Sequence, residues 1–142
     1  MIIRRFETKD AEALAKLSKI ASRELKWWEI ETAKDFLIIF RKNKNLIWIA
    51  EDKKKIIGFL YGDILFKKGI LKSNRALELA NTYVVKEHRN KGVATKLTKR
   101  FLNAWKNSSY KTVFSFATNK IALSLLKDLG FKQKVYYLDK KL

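Results

Sequence analysis

Residues 84–97, VVKEHRNKGVATKL, constrain the fold of this chain more than any other stretch. Apolar β-branched residues give way to a basic turn around Gly92. A repeat then begins in which Val93, Leu97, Phe101, Ala104 and Trp105 share one face of a helix. Upstream, ALELANTYVV (76–85) reads as a strand, and downstream TVFSFAT (112–118) reads as another. Strands joined through a helix cannot form a hairpin. In one sheet they make a parallel pair with a right-handed crossover.

The remaining segments arrange themselves around that unit. IIRRF (2–6) reads as a short strand. Thr8 or Asp10 then caps a helix carrying Ala11, Leu14, Leu17, Ala21 and Leu25 at helical spacing, and a second helix carries Ala33, Phe36, Leu37 and Phe40. LIWIAED, the lysines at 53–55 and IIGFLYGDILF read as a β-hairpin with its charges solvated at the tip, so antiparallel strands lie beside the parallel pair. Asn119 caps a last helix whose stripe is Ala122, Leu125, Leu126 and Leu129 and whose stop is Gly130. FKQKVYYLDKK reads as a final strand. The class is mixed α/β. With no proline, no low-complexity tract and no Gly/Ser linker, residues 1–142 read as one domain that buries about two-thirds of its unfolded surface.

Thirty-two basic side chains against fourteen acidic ones leave a formal charge of +18. The field this creates attracts a polyanionic cofactor, nucleic acid or an acidic protein, and serves plain solubility equally well. There is no cysteine, which removes disulfides, thiolate-bound metals and thiol nucleophiles. His88 is the only histidine, so zinc sites built on several histidines are excluded. No apolar run approaches the roughly 20 residues of a membrane span, and MIIRRFETKD lacks the apolar core of a signal peptide. The expected location is the cytoplasm, with no membrane partner.

A basic turn that leaves a strand and opens a helix is suited to an anion. The first amide N–H groups of a helix have no internal partners, the helix dipole favours negative charge, and Gly92 lets a ligand approach the backbone. A dinucleotide fingerprint needs G-x-G-x-x-G and a P-loop needs G-x-x-x-x-G-K-(S/T), and neither is present. What is present, Arg89-x-x-Gly92-x-Ala94 within YVVKEHRNKGVATKL, resembles the acyl-CoA signature of the GNAT N-acetyltransferases. Asn119-x-x-Ala122-x-x-Leu125-x-x-x-x-Gly130-Phe131 resembles the later signature of the same family, in the right order.

The resemblance implies a central, mostly antiparallel sheet with one parallel strand pair and about four flanking helices. It implies acetyl-CoA as cosubstrate, with Tyr83, Val84 and Val85 pairing with the pantetheine arm and Arg89, Asn90, Lys91, Gly92, Val93 and Ala94 holding the pyrophosphate. Asn119 is expected near the thiol end. An amine acceptor would attack the thioester directly, which suits a chain without a thiol nucleophile. The enzyme must then hold two substrates together, take a proton from an ammonium of pKa near 10, and polarise the carbonyl. Glu78, the only carboxylate within strand 76–85, is the expected base, since a glutamate on this strand commonly takes the proton in the family, although a common form of the motif places acids at the positions of Ala80 and Asn81 here. Regular alternation puts Glu78 on the same face as Ala80. Trp27, Trp28, Glu29 and Glu31, joining the first two helices, are assigned to the acceptor pocket, and Glu29 and Glu31 are alternative bases. The family's usual tyrosine donor is replaced by Leu126. Two other readings stay open: a nucleic-acid-binding module, and a catalytically silent acyl-CoA sensor on the same fold.

Overall fold

The computed structural model describes residues 1–26, 31–66, 75–134 and 138–142. Five strands form one sheet in sequence order: β1 (Ile2–Arg5), β2 (Ile47–Asp52), β3 (Lys55–Phe66), β4 (Arg75–Val84) and β5 (Val113–Phe114). All neighbours are antiparallel except β4 and β5, the parallel pair demanded by the strand–helix–strand unit. The helices are α1 (Ala11–Leu25), α2 (Ala33–Lys42), α3 (Val93–Trp105) and α4 (Lys120–Asp128). None of the described helices is long and apolar enough to cross a membrane.

The hairpin between β2 and β3 closes on Asp52 and Lys55, with Lys53 and Lys54 both left-handed at φ 48° and 61°. A two-residue turn of this hand matches the twist of the strands it joins. Along β3 alternate residues face opposite sides of the sheet, and the packing follows. Phe59 and Tyr61 meet the edge of Phe36 from α2, with ring centroids 5.8 and 5.7 Å apart, while a Cβ on Gly62 would point into the Phe101 ring of α3. α2 and α3 therefore cover opposite faces. Phe36, Phe59, Leu60, Leu97 and Phe101 are fully buried between them.

Two expectations about strands are corrected. Of TVFSFAT only Val113 and Phe114 pair, and Phe116 is 65% exposed. Of the final segment, residues 131–134 and 138–142 are in no ladder, and 135–137 lie outside the described residues. Helix α4 does end as expected. Gly130 N–H donates to Lys127 C=O and Phe131 N–H to Leu126 C=O, both at 3.0 Å, the paired bonds of a Schellman stop.

Candidate functional site

The candidate site begins at a fault in the sheet. Tyr61 lies opposite Asn81 and Gly62 opposite Leu79, so Ala80 is an extra residue on β4. Such a bulge bends its strand. β5 pairs only with Leu77 and Glu78, and past the bulge the edge of β4 that faces β5 has no ladder partner among the described residues. Two carbonyls mark that edge. Leu79 C=O accepts from Ser115 Oγ and Val84 C=O accepts from Arg89 Nε, each at 2.8 Å. The two-residue alternation turns Thr82 the same way. Val85 N–H instead donates to Ile57 C=O at 2.9 Å, within the ladder to β3, and Tyr83 shares that direction. Of the three residues expected to offer main chain, Val84 is the one turned to the open edge.

The edge runs into the basic turn. Asn90 and Gly92 are left-handed, at φ 59° and 74°, a conformation that glycine adopts freely and asparagine tolerates. Gly92 is the N-cap of α3, so no side chain caps the helix, and nothing lies within 4 Å of where its Cβ would be. The start of α3 is therefore without a side-chain cap, and the space beside Gly92 is open. Arg89 is turned elsewhere. Its Nη1 pairs with Glu24 Oε1 at 2.5 Å, and its guanidinium sits 5.5 Å from the Tyr83 ring centroid. Tyr83 donates its hydroxyl to Glu24 Oε2 at 3.0 Å. The Arg89 hydrogen bond, against the opposing effect of burial, holds the Glu24 carboxyl below its ordinary range. Burial, followed by the neighbouring Glu24, raises the Tyr83 hydroxyl. Arg89 thus braces α1 against the end of β4. Lys91 and Lys96 stay exposed beside the turn.

On the opposite flank, Glu31, Asp35, Ile38, Ile39, Lys42, Tyr61 and Asp63 line a cleft of about 450 Å³, within the range of small-molecule sites. Its floor is a buried polar chain. Ser18 Oγ donates to Glu31 Oε2 at 2.6 Å, the Tyr61 hydroxyl donates to Glu31 Oε1, and Asn81 Nδ2 donates to the Tyr61 oxygen at 2.8 Å. Glu31 and Tyr61 are 7% and 5% exposed. At the rim Lys42 Nζ donates to Asp63 Oδ1 at 2.7 Å. Asp35 is occupied in capping α2, and the Thr32 N–H and hydroxyl hold its carboxyl below the ordinary range.

The bulge also corrects the direction expected for Glu78. Asp63 and Tyr61 are two apart on β3 and share a face; Glu78 opposes one and Asn81 the other. Directly opposed residues point the same way. Glu78 therefore shares the cleft face with Asn81, because Ala80 shifts the phase of β4 by one. Asn119 caps α4, its Oδ1 accepting from Ala122 N–H at 2.8 Å, and Leu126 is buried. Trp27, Trp28 and Glu29 lie outside the described residues, as do 67–74 of the basic loop. Sequence reasoning passed over Tyr61, Ser18 and Glu24. The alternation of β3 does group Tyr61 with Phe59 and Asp63, but nothing along the chain pairs Glu24 with a residue 65 places on.

Comparison with known proteins bears on this geometry. No curated protein matches the chain. Among solved structures, a predicted acetyltransferase from Clostridium acetobutylicum with acetyl-CoA aligns at a TM-score of 0.76 and 22% identity, covering 99% of this chain and 95% of its own. An aminoglycoside 6'-N-acetyltransferase from Acinetobacter haemolyticus aligns at 0.67 and 24%, covering 100% and 99%. Ard1 from Thermoplasma volcanium aligns at 0.72 and 21%, covering 94% and 84%. At these identities the likeness shows a shared fold. The family model for the Acetyltransferase (GNAT) family matches residues 12–131, and the chain belongs to that family.

Proposed function

We propose that the protein transfers an acetyl group from acetyl-CoA to a primary amine by direct attack. The observation that carries this reading is the continuous path from the uncapped start of α3, along the β4 edge at Val84 and Thr82, to the bulge at Ala80 beside the Glu31–Tyr61 cleft. The pyrophosphate sits on the amides of Gly92 to Ala94, with Lys91 and Lys96 supplying charge. Arg89 supports the turn from behind through Glu24. The pantetheine arm pairs with the open edge as an added strand, its amides answering Val84 and Thr82, and reaches the bulge after four residues, about 13 Å. Solved neighbours of the same fold that hold acetyl-CoA or CoA support the choice of cosubstrate.

The amine enters from the cleft and attacks the thioester carbon. The N–C bond forms as the C–S bond breaks, and the proton lost by the new amide nitrogen accompanies the departing CoA thiolate. Beforehand the ammonium gives its extra proton to a carboxylate on this face, where Glu78 and Glu31 both stand. An N-terminal amine, a lysine or a small amine each satisfies this chemistry, and aminoglycosides belong in the panel of acceptors because solved neighbours bear that name.

Thermal denaturation tests the cofactor site. Acetyl-CoA at a hundredfold excess over Kd stabilises by about 2.7 kcal/mol, on the order of ten degrees for a chain of this size. Gly92→Glu, which sets bulk and negative charge before the turn, is expected to abolish the shift. A shift that survives it removes the turn from the site.

A further inference from the structure

We infer that the acceptor is a diamine or longer oligoamine with an ammonium at each end, and that Asp63 anchors its second ammonium in exchange for Lys42. The inference rests on the acetyl-transfer reading and names the substrate class of that site. Three carboxylates and one ammonium line the cleft, in a chain whose basic side chains outnumber its acidic ones by 32 to 14. The groups are also ordered. Asp35, Ile38, Ile39 and Lys42 stand at i, i+3, i+4 and i+7 of α2, so they share one face of the helix, and all four line the cleft. Glu31 precedes the helix at the Asp35 end, and Asp63 meets Lys42 at the other. Acid, apolar wall and acid succeed one another over about 10 Å, the rise of seven helical residues. A molecule with methylenes between two ammonium groups has the matching pattern.

The cleft already holds an alkylammonium of its own. Lys42 Nζ donates to Asp63 Oδ1 at 2.7 Å, and Ile64 N–H donates to the same oxygen at 2.8 Å, which fixes the carboxylate. Asp63 Oδ2 accepts no hydrogen bond among the described residues. The Lys42 side chain is 40% exposed at the last residue of α2, and a pair of this exposure contributes little, so the lysine leaves for water at small cost. A substrate ammonium then takes its place with the same chemistry and no covalent change. The reacting amine is the one at the Glu31 end, where Asn81, hydrogen-bonded to Tyr61, adjoins the bulge at Ala80. Lys42 and Asp63 together set specificity: a monoamine held at the Glu31 end gains nothing from Asp63, whereas a diamine of sufficient length displaces the lysine.

Ligand-observed NMR titration of the protein with 1,7-diaminoheptane, heptylamine and 1,3-diaminopropane decides the matter. The long diamine, whose nitrogens span about the 10 Å of the α2 face, is expected to bind roughly 5- to 30-fold more tightly than either of the others, between the effect of an exposed ion pair and that of a buried one. Asp63→Asn should bring it to the level of heptylamine and leave heptylamine nearly unchanged. Lys42→Gln should tighten the long diamine several-fold, yet change nothing in the Asp63→Asn background, because the lysine acts through that carboxylate alone. Arg41→Gln, which removes the same charge from the exposed neighbouring residue, should leave every affinity as it is. Equal affinity for the long diamine and heptylamine, an unaltered diamine affinity in Asp63→Asn, or equal tightening by Arg41→Gln and Lys42→Gln overturns the inference. If Asp63→Asn does not fold, Lys42→Gln against Arg41→Gln decides. CoA release from acetyl-CoA with the same amines separates the two readings. Preferred turnover of the long diamine supports both; turnover of heptylamine or a short peptide with no preference for the diamine overturns this inference and leaves acetyl transfer standing. Turnover of no amine overturns acetyl transfer, and the diamine's role as acceptor with it.

Discussion

Gly62 shows what a single missing side chain does here. A Cβ at that position would lie 2.3 Å from the Glu78 carbonyl oxygen and 2.6 Å from the Phe101 ring, so strand, bulge and helix meet over one hydrogen atom. The backbone contact cannot yield as a flexible side chain would. Gly62→Ala is expected to lower stability by about 1–3 kcal/mol, at the overpacking end of core substitutions, and to weaken acetyl-CoA binding by displacing the bulge. Thermal denaturation with and without acetyl-CoA checks both effects, and an unchanged melting temperature would contradict the packing described here. Residue chemistry of this kind is only half readable in a sequence. Gly92 is legible because glycine within a basic strand-to-helix turn carries its reason with it. Gly62 is not, because its neighbours come from β4 and α3. The direction of Glu78 is lost for a similar cause: alternation counts residues on one strand, and only the partner register exposes the extra one.

Whole elements were easier to read than their ends. All four helices and the first four strands follow from hydrophobic period and caps, since each of those signals is local. β5 and the final segment show the limit. TVFSFAT has the alternation of a strand whether or not a partner is in reach, and the bend of β4 past Ala80 takes the partner away after two residues. At the other edge, Arg4 joins β1 to both its neighbours. It donates to Asp10 Oδ1 and Oδ2 at 2.9 and 2.8 Å, and its Nε reaches Glu51 at 2.9 Å. Burial works against the Asp10 charge, yet the bonds from Arg4 and from Glu7 N–H outweigh it and hold the carboxyl below its ordinary value. A depressed folded value means that Asp10 adds stability that is complete above the ordinary carboxylate range, near pH 4, and disappears as pH falls through the folded value. Asp10→Asn should therefore flatten the acid limb of the stability curve and cost on the order of 1–3 kcal/mol at neutral pH. Urea unfolding at pH 7 and pH 3 measures this: the gap between wild type and variant should shrink at the lower pH.

At the scale of the molecule, charge is sorted by side. No aspartate or glutamate occurs between Glu87 and Asp128, so α3 and β5 carry no acid and α4 carries one only at its last residue, whereas Lys96, Lys99, Arg100, Lys106, Lys111, Lys120 and Lys127 are all exposed along this stretch. The acids of the cleft, Glu31, Asp35, Asp63 and Glu78, come from separate parts of the chain and meet only through folding. A polyanion is drawn to one flank and a cation to the other, the polarity a reaction between CoA and an ammonium requires. The basic run is legible along the chain; its position beside the turn depends on the crossover that packs α3 against the sheet. Net charge alone left nucleic acid as a competing partner, and the placement of the charge makes that reading testable. Acetyl-CoA affinity should fall as salt rises from 50 to 300 mM, because screening removes the attraction of the exposed lysines more than the contacts with backbone amides. A short DNA duplex at low salt, if it binds, should lie on the same flank and compete with acetyl-CoA. Replacing Lys96, Lys99 and Arg100 together by glutamine should weaken both ligands and leave the melting temperature within about a degree or two, since exposed charges contribute little to stability. A duplex that binds alongside acetyl-CoA, or that keeps its affinity in the triple variant, would place the nucleic-acid surface away from α3 and separate the protein's charge from its cofactor site.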